Sequence, residues 1–214
     1  MIQIQHLIKA YNKEIVLNIP ELTIRQGEIF GLVGNNGAGK TTLFNLILDL
    51  ITASKGEVTS KGIQVRESED WKDFTGAFID ETFLIGYLTA EEYFGFIAGL
   101  RKLTKAETTA FLEKYADFFN GEILGKKKFI RDFSKGNQKK VGIVAALMGK
   151  PEIVVLDEPF ANLDPSSQYK LRKLIKDFAA ENGTTFLISD HTLDNIADVS
   201  TRLIILEKGH IVRD

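Results

Sequence analysis

Gly34-Asn35-Asn36-Gly37-Ala38-Gly39-Lys40-Thr41 fits the pattern G-x-x-x-x-G-K-[ST] at every constrained position. The pattern is a device for holding a triphosphate. Its glycines let the backbone curl so that successive N–H groups point at phosphate oxygens, Lys40 sets a point charge on the terminal phosphates, and the Thr41 hydroxyl can ligate Mg²⁺. With glycine at about 7% of average usage, four such constraints coincide by chance in a chain of this length on the order of once in a hundred. The flanks agree with the motif. Ile29-Phe30-Gly31-Leu32-Val33 reads as a buried strand, and Thr42-Leu43-Phe44-Asn45-Leu46-Ile47-Leu48 as a helix whose N-terminus, with Thr42 beside it, completes an anion site. The chain is predicted to bind nucleotide.

The bulk numbers narrow the class. A chain of 214 residues with 44% hydrophobic content can bury one full core, with or without a subdomain. A net charge of −2 provides no global drive toward nucleic acid or anionic lipid. Cysteine is absent, so disulfides and thiolate metal sites are excluded, which suits a reducing compartment. Met1 to Gln5 has no signal-peptide organisation, and apolar runs such as Val141 to Met148 fall far short of the ~20 residues that cross a bilayer. A membrane role would require a separate chain.

Short β-like runs open the sequence at Ile2 to Ile8, Ile15 to Ile19 and Leu22 to Ile24, and Ser54 to Val58 and Lys61 to Ile63 suggest further antiparallel strands. Ser68 to Asp73 reads as a surface loop or short helix, with Trp71 a packing residue. The middle is helical. Thr89-Ala90-Glu91-Glu92 is a capping box ahead of Tyr93, Phe94, Phe96, Ile97 and Leu100, expected on one apolar face. Thr104-Lys105-Ala106-Glu107 is a second box, leading through Phe111, Tyr115 and Phe118 to a stop at Gly121. After Ser134, Val141, Val144, Ala145 and Met148 keep helical spacing. Residues 80–150 are therefore expected as a helical insert within a core of residues 1–79 and 151–214. Ile153 to Leu156 is a continuous apolar run, as in a strand of a parallel sheet covered on both faces, Thr184 to Ile188 reads as another buried strand, and a helix is predicted from Pro165 to Asn182-Gly183. The reading is one α/β unit with a helical insertion and an antiparallel edge.

A phosphate loop alone leaves kinases, GTPases and ATPases open. The strand ending Leu156-Asp157-Glu158 narrows the choice: Asp157 stands where a carboxylate holds Mg²⁺ through water, and Glu158 where one polarises an attacking water. With these residues on view the chain resembles the nucleotide-binding subunit of ABC transporters, from near its start to its end. Tyr11 occupies the aromatic adenine-stacking position. Phe133-Ser134-Lys135-Gly136-Asn137-Gln138 resembles the signature Leu-Ser-Gly-Gly-Gln, Asn162-Leu163-Asp164-Pro165 the D-loop, and Ser189-Asp190-His191 the switch histidine. The resemblance implies a RecA-like P-loop NTPase core with an antiparallel β subdomain and an inserted helical subdomain. It implies ATP and Mg²⁺ as cofactors, the metal being held by Thr41 and Asp157. It also implies a head-to-tail pair in which Ser134 and Gly136, with Asp164, complete the ATP site of a second copy or of a homologous ATPase subunit.

Plainer readings stand beside these. Tyr11 could be a strand-edge aromatic, His191 a surface histidine and Asp157 and Glu158 solvated acids at a strand end, and Ser134 and Asp164 helix N-caps, a role compatible with the other. His6 and His210 match no motif and are read as structural residues of edge strands. The basic run Lys126 to Lys128, Arg131, Lys135, Lys139 and Lys140 reads as a solvated face. Two departures from the family pattern matter. Asp80 stands where the family has its Gln-loop glutamine, as a candidate for the water and the metal with Glu81 as alternative, and Lys135 and Asn137 replace a signature glycine and glutamine. The implied partner is a transmembrane permease, placing the chain in the cytoplasm, peripheral on the inner face of the membrane. Phe83, Leu84 and Tyr87 lie where the family docks permease helices. A ribosome- or DNA-directed ABC ATPase is the alternative, but nucleic acid is not expected as a partner. The chain ends at Asp214 without the C-terminal domain of some importers, which favours an exporter.

Overall fold

In the computed structural model of the chain, residues 2–214 are described. The elements run β1 (Ile2–Tyr11), β2 (Glu14–Ile24), β3 (Ile29–Val33), α1 (Lys40–Ile47), β4 (Lys55–Ser60), β5 (Ile63–Gln64) and β6 (Thr75–Phe78). Then come α2 (Ala90–Leu100), α3 (Lys105–Lys114), α4 (Ala116–Phe119), α5 (Lys135–Ala146), β7 (Ile153–Leu156) and α6 (Pro165–Asn182). The chain closes with β8 (Thr185–Asp190), α7 (Leu193–Ala197), β9 (Arg202–Glu207) and β10 (His210–Arg213). Two sheets result, one of four strands in the order β2-β1-β4-β5 and one of six in the order β10-β9-β3-β8-β7-β6. The first is antiparallel; in the second, β9, β3, β8, β7 and β6 run parallel and β10 is antiparallel at the edge.

Tight turns set the antiparallel registers. Asn12-Lys13, Lys61-Gly62 and Lys208-Gly209 each put two consecutive residues at positive φ between paired strand ends, as a type I′ turn requires to match strand twist. The runs Ile15 to Ile19 and Leu22 to Ile24 belong to one strand, β2, rather than two. Pro20 between them removes an N–H, which is tolerated because β2 is an edge strand. The edge-strand expectation for His6 was wrong. β1 lies between β2 and β4, and His6 sits at φ 49 where the β1–β4 register shifts, so it marks a bulge.

The parallel sheet divides the core in two by strand alternation. Val154, Leu156, Phe186 and Ile188 face the helices α2, α4, α5 and α6. Ile153, Val155, Leu187, Phe30 and Leu32 face α1 and the antiparallel sheet, where Trp71 is also buried. Between β6 and β7 the regular elements are all helical, joined by turns, with one isolated bridge between Thr89 and Phe129, and both capping boxes form. Not every apolar residue of that region turns inward. The buried stripe of α2 centres on Ala90, Phe94 and Ala98, and at 100° per residue Phe96 and Leu100 fall about 160° and 120° away from Phe94, on the exposed side of the helix. The segment expected to stop at Gly121 breaks at Tyr115 into α3 and α4, and ends one residue earlier at Asn120 in the left-handed region. α5 lies so close to β6 that a Cβ on Gly142 would stand 2.1 Å from the Phe78 ring.

Candidate functional site

β3 delivers the chain into the loop of residues 34–39, and α1 begins at Lys40. Gly39 caps that helix at φ 107, a conformation strained for any residue with a Cβ. No side chain caps α1, so its first amides remain available as donors to an anion. The Lys40 ammonium is buried, donating to Gly34 O at 2.7 Å and Asn35 O at 3.4 Å, and stands 3.2 Å from Glu158 Oε1. Beside it is a cavity of about 300 Å³ lined by Tyr11, Val16 and Glu158 with Asn36, Gly37, Gly39, Lys40, Thr41 and Thr42. Ala38 turns away from it, buried behind the loop, its N–H donating to Asn35 O. Tyr11 is exposed at the cavity rim, with Lys9 Nζ 4.6 Å from its ring centroid.

β7 brings the two acids to the same place. Asp157 is buried; it accepts from Thr41 Oγ1 at 2.5 Å and from the Ser189 hydroxyl of β8. Burial raises its pKa, against the lowering effect of the Ser189 and Thr41 hydrogen bonds. A hydroxyl and a carboxylate meeting on one point suit Mg²⁺, which takes one or two protein oxygens and completes its shell with water and phosphate. Among the described residues no three His, Asp or Glu side chains form a metal cluster of their own, so such an ion would lean on the nucleotide's oxygens.

Glu158 leaves the strand at φ 45, a left-handed conformation that costs a non-glycine residue about 1–3 kcal/mol and must be held by its surroundings. Its N–H donates to Ser189 Oγ at 3.0 Å and its carbonyl accepts from Lys139 Nζ at 2.7 Å. On the carboxylate, Oε1 faces Lys40 and Oε2 lies 4.0 Å from His191 Nδ1. His191 in turn has Asp190 Oδ1 at 3.4 Å, and the Asp190 carboxylate is fully buried and held by the Thr192 amide and the Asn195 side chain.

Asp80 is placed differently from what the Gln-loop position suggests. It is exposed, accepts from Thr82 N at 2.7 Å as cap of a 3-10 turn, and among the described residues makes no hydrogen bond to Thr41, Asp157 or Glu158. The Thr82 bonds hold its pKa below the usual carboxylate value. Glu81 is the acid that turns inward, 3.8 Å from Lys139. The basic run is not wholly a solvated face. Lys139 and Lys140 are buried, because α5 is covered on all sides and their ammonium groups find partners inside: Glu158 and Glu81 for Lys139, and the Phe118 ring at 5.6 Å for Lys140. Burial lowers the Lys139 pKa, opposed by Glu81, Glu158, Asp157 and Asp80 in that order.

Ser134, Gly136 and Asp164 do not line the cavity. Ser134 caps α5 through Asn137 N at 3.3 Å, and Asp164 caps α6 through Ser167 N at 3.0 Å, both side chains being exposed. A Cβ on Gly136 would lie 2.7 Å from Asn162 O, so the start of α5 and the loop before α6 touch backbone to backbone. Residues 17–161 match the family model described as ABC transporter. The chain belongs to the ABC transporter family.

Its curated relatives are ATP-binding proteins of that family. The chain is 32% identical over 216 residues to the bacitracin transport ATP-binding protein BcrA of Enterococcus faecalis, covering 100% of itself and 68% of that protein. It is 28% identical over 214 residues to the lantibiotic transport ATP-binding protein SrtF of Streptococcus pyogenes, covering 99% of itself and 89% of that protein. To an uncharacterized ABC transporter ATP-binding protein of Synechocystis sp. it is 34% identical over 192 residues, 89% of this chain but 54% of that one, so it spans about half the relative's length. Among solved structures it matches an ATP-binding subunit of an ABC transporter with a TM-score of 0.89 and 27% identity, covering 100% of this chain and 88% of the other. It also matches an ATP-binding cassette solved as a dimer in a post-hydrolysis state with ADP and Pi, with a TM-score of 0.86 and 25% identity, covering 100% and 97%. The α/β fold, a P-loop NTPase core with an antiparallel sheet, is the one the resemblance implied.

Three residues of this ABC site escaped the sequence reading. Ser189 and Asp190 were quoted only as neighbours of His191, though polar residues ending an apolar strand are a signal. Lys139 left less trace, since a lysine in a helix is ordinarily solvated.

Proposed function

We propose that the chain binds ATP with Mg²⁺, hydrolyses it, and so drives a separate transmembrane permease. The observation that carries this is the meeting of Lys40, Thr41 and Glu158 on a single cavity with Tyr11 at its rim, Asp157 bonded to Thr41 and His191 beside the Glu158 carboxylate. Thr41 and Asp157 would hold Mg²⁺, whose chemistry is to neutralise charge on the β- and γ-phosphate oxygens. Lys40 binds the phosphates, together with the amides of residues 34–42. Glu158 accepts the proton of the attacking water, and His191 positions the γ-phosphate against it. Asp80 shapes the turn that carries Glu81.

Ser134 and Gly136 lie away from their own cavity, which supports a head-to-tail pair in which they and Asp164 serve the partner's nucleotide. Shifting such a pair from 1:99 to 99:1 closed takes about 5.5 kcal/mol, within reach of a few charge-assisted bonds at ~1.5–3 kcal/mol each. A groove of about 580 Å³ lined by Trp71, Phe78, Phe83, Leu84, Tyr93 and Ile97 suits an apolar permease segment. Phe83 and Tyr87 are 59% and 72% exposed, more than the hydrophobic effect favours for large aromatics without a partner. Among the described residues no helix is long and apolar enough to span a membrane, so in this reading the chain is peripheral on the cytoplasmic face. Relatives named for bacitracin transport, linearmycin resistance and lantibiotic transport support export of a peptide or antibiotic. Residues 1–79 and 151–214 form the core of this unit and residues 80–150 its helical insert.

Glu158→Gln tests the reading. ATP binding should persist, turnover should collapse, and an ATP-trapped dimer should elute on gel filtration. Wild-type hydrolysis in that variant would remove Glu158 from the role.

A further inference from the structure

The Glu158 backbone is gripped from two sides, and only one grip comes from the sheet. Ser189 of β8 takes its N–H at 3.0 Å. The other hand is Lys139, reaching from α5 with its ammonium 2.7 Å from the Glu158 carbonyl. Lys139 is 5% exposed, so the bond is screened from water, and a charged donor in such surroundings binds a carbonyl more strongly than a neutral one. Its remaining capacity is directed to Glu81 Oε1 at 3.8 Å, whose side chain is itself largely covered. The residue so held sits at φ 45, where an unsupported glutamate would relax toward an extended or helical conformation. A rotation there would swing the carboxylate off the line between Lys40 and His191, which flank it at 3.2 and 4.0 Å.

We propose that Lys139 is a positioning residue for hydrolysis: it clamps the Glu158 carbonyl, and Glu81 is the counter-ion that keeps the clamp in place. Lys139 does not itself line the cavity, and among the described residues it makes no hydrogen bond to Thr41 or Asp157, so its contact with the site runs through the Glu158 carbonyl. The arrangement also joins three parts of the chain. Glu81 opens the 3-10 turn Glu81–Phe83, Phe83 lines the 580 Å³ groove, Lys139 belongs to α5, and Glu158 lies just past the end of β7. A displacement of the turn therefore reaches the reacting carboxylate through two side chains. The proposal rests on the reading of Glu158 as the residue that accepts the proton.

The experiment compares Lys139→Met, Lys139→Arg, Glu81→Gln and the double variant Lys139→Met/Glu81→Gln with Glu158→Gln. Steady-state kcat and KM are measured, with equilibrium binding of a fluorescent ATP analogue and the melting temperature of each. Loss of one charge-assisted bond predicts a fall in kcat of about ten- to a hundredfold for Lys139→Met, with analogue affinity within about threefold of wild type. Lys139→Arg, which keeps a donor, should recover part of kcat. Glu81→Gln alone should give a smaller loss, and in the double variant it should add nothing to Lys139→Met, because both act on one clamp. A wild-type kcat in Lys139→Met overturns the proposal. So does a fall in analogue affinity as large as the fall in kcat, which would mean general damage. If Lys139→Met does not fold, Glu81→Gln decides, and an unchanged kcat there overturns it. Wild-type hydrolysis in Glu158→Gln would sink the underlying reading instead. An inactive Glu158→Gln beside a wild-type Lys139→Met sinks the clamp alone.

Discussion

Replacing Ser189 by alanine removes one hydroxyl and leaves the buried Asp157 carboxylate and the partly buried Glu158 N–H each short of a partner. Ser189 is fully buried; its hydroxyl donates to Asp157 and accepts from the Glu158 N–H at 3.0 Å. A hydrogen bond to a charged group contributes about 1.5–3 kcal/mol, and a buried donor left unpaired costs about 1–3 kcal/mol. The two effects together predict a loss of roughly 2.5–6 kcal/mol. At about 2–4 °C per kcal/mol for a domain of this size, the melting temperature should fall by roughly 5–24 °C. Thr184→Val supplies the comparison, since Thr184 is equally buried but its hydroxyl makes a single neutral bond, to Pro151 O at 2.8 Å. That change should cost only about 1–2 kcal/mol. Urea denaturation of both variants, with unchanged m-values, measures the difference. A loss below about 1 kcal/mol in Ser189→Ala, or one no larger than in Thr184→Val, would refute the view that this hydroxyl holds the end of β7 together.

Gly136→Ala should destabilise the chain although it replaces glycine in a helix. Alanine would gain about 1 kcal/mol of helix propensity, but its Cβ meets Asn162 O at 2.7 Å, and the forced backbone shift costs about 1–3 kcal/mol, so a small net loss in urea denaturation is expected and a gain would contradict the contact. The stabilisation from four carboxylates should weaken below pH about 4.5. Asp80, Glu107, Asp164 and Asp214 have folded pKa values lowered from 3.8, 4.5, 3.8 and 3.8, so their stabilisation is complete above those values and is lost as pH falls through the lower folded ones. Asp157 works the other way. Its raised pKa makes the folded state hold a proton longer, so its contribution falls as pH rises from 3.8 through the folded value. A pH series of urea midpoints that stayed flat from pH 6 to pH 2 would contradict the four lowered carboxylates.

What the residues determined unaided is local in origin. The phosphate loop is a contiguous octet whose glycines dictate its curl. The capping boxes at Thr89 and Thr104 are three-residue reciprocal bonds, and the double-faced burial of Ile153–Leu156 shows in an unbroken apolar run. Each of these is decided by interactions within a few residues, so order along the chain suffices to find them. Tertiary structure decided what depends on several elements meeting. Whether Asp80 or Glu81 turns inward is a matter of one Asx bond and a distant ammonium. Whether Lys139 is solvated depends on elements on either side of α5, and whether Phe96 faces the core depends on where α2 docks. A side chain's periodicity states which residues share a face. It carries no information about what that face meets, because the desolvation and pairing that fix a lysine or a glutamate are supplied by residues many positions away.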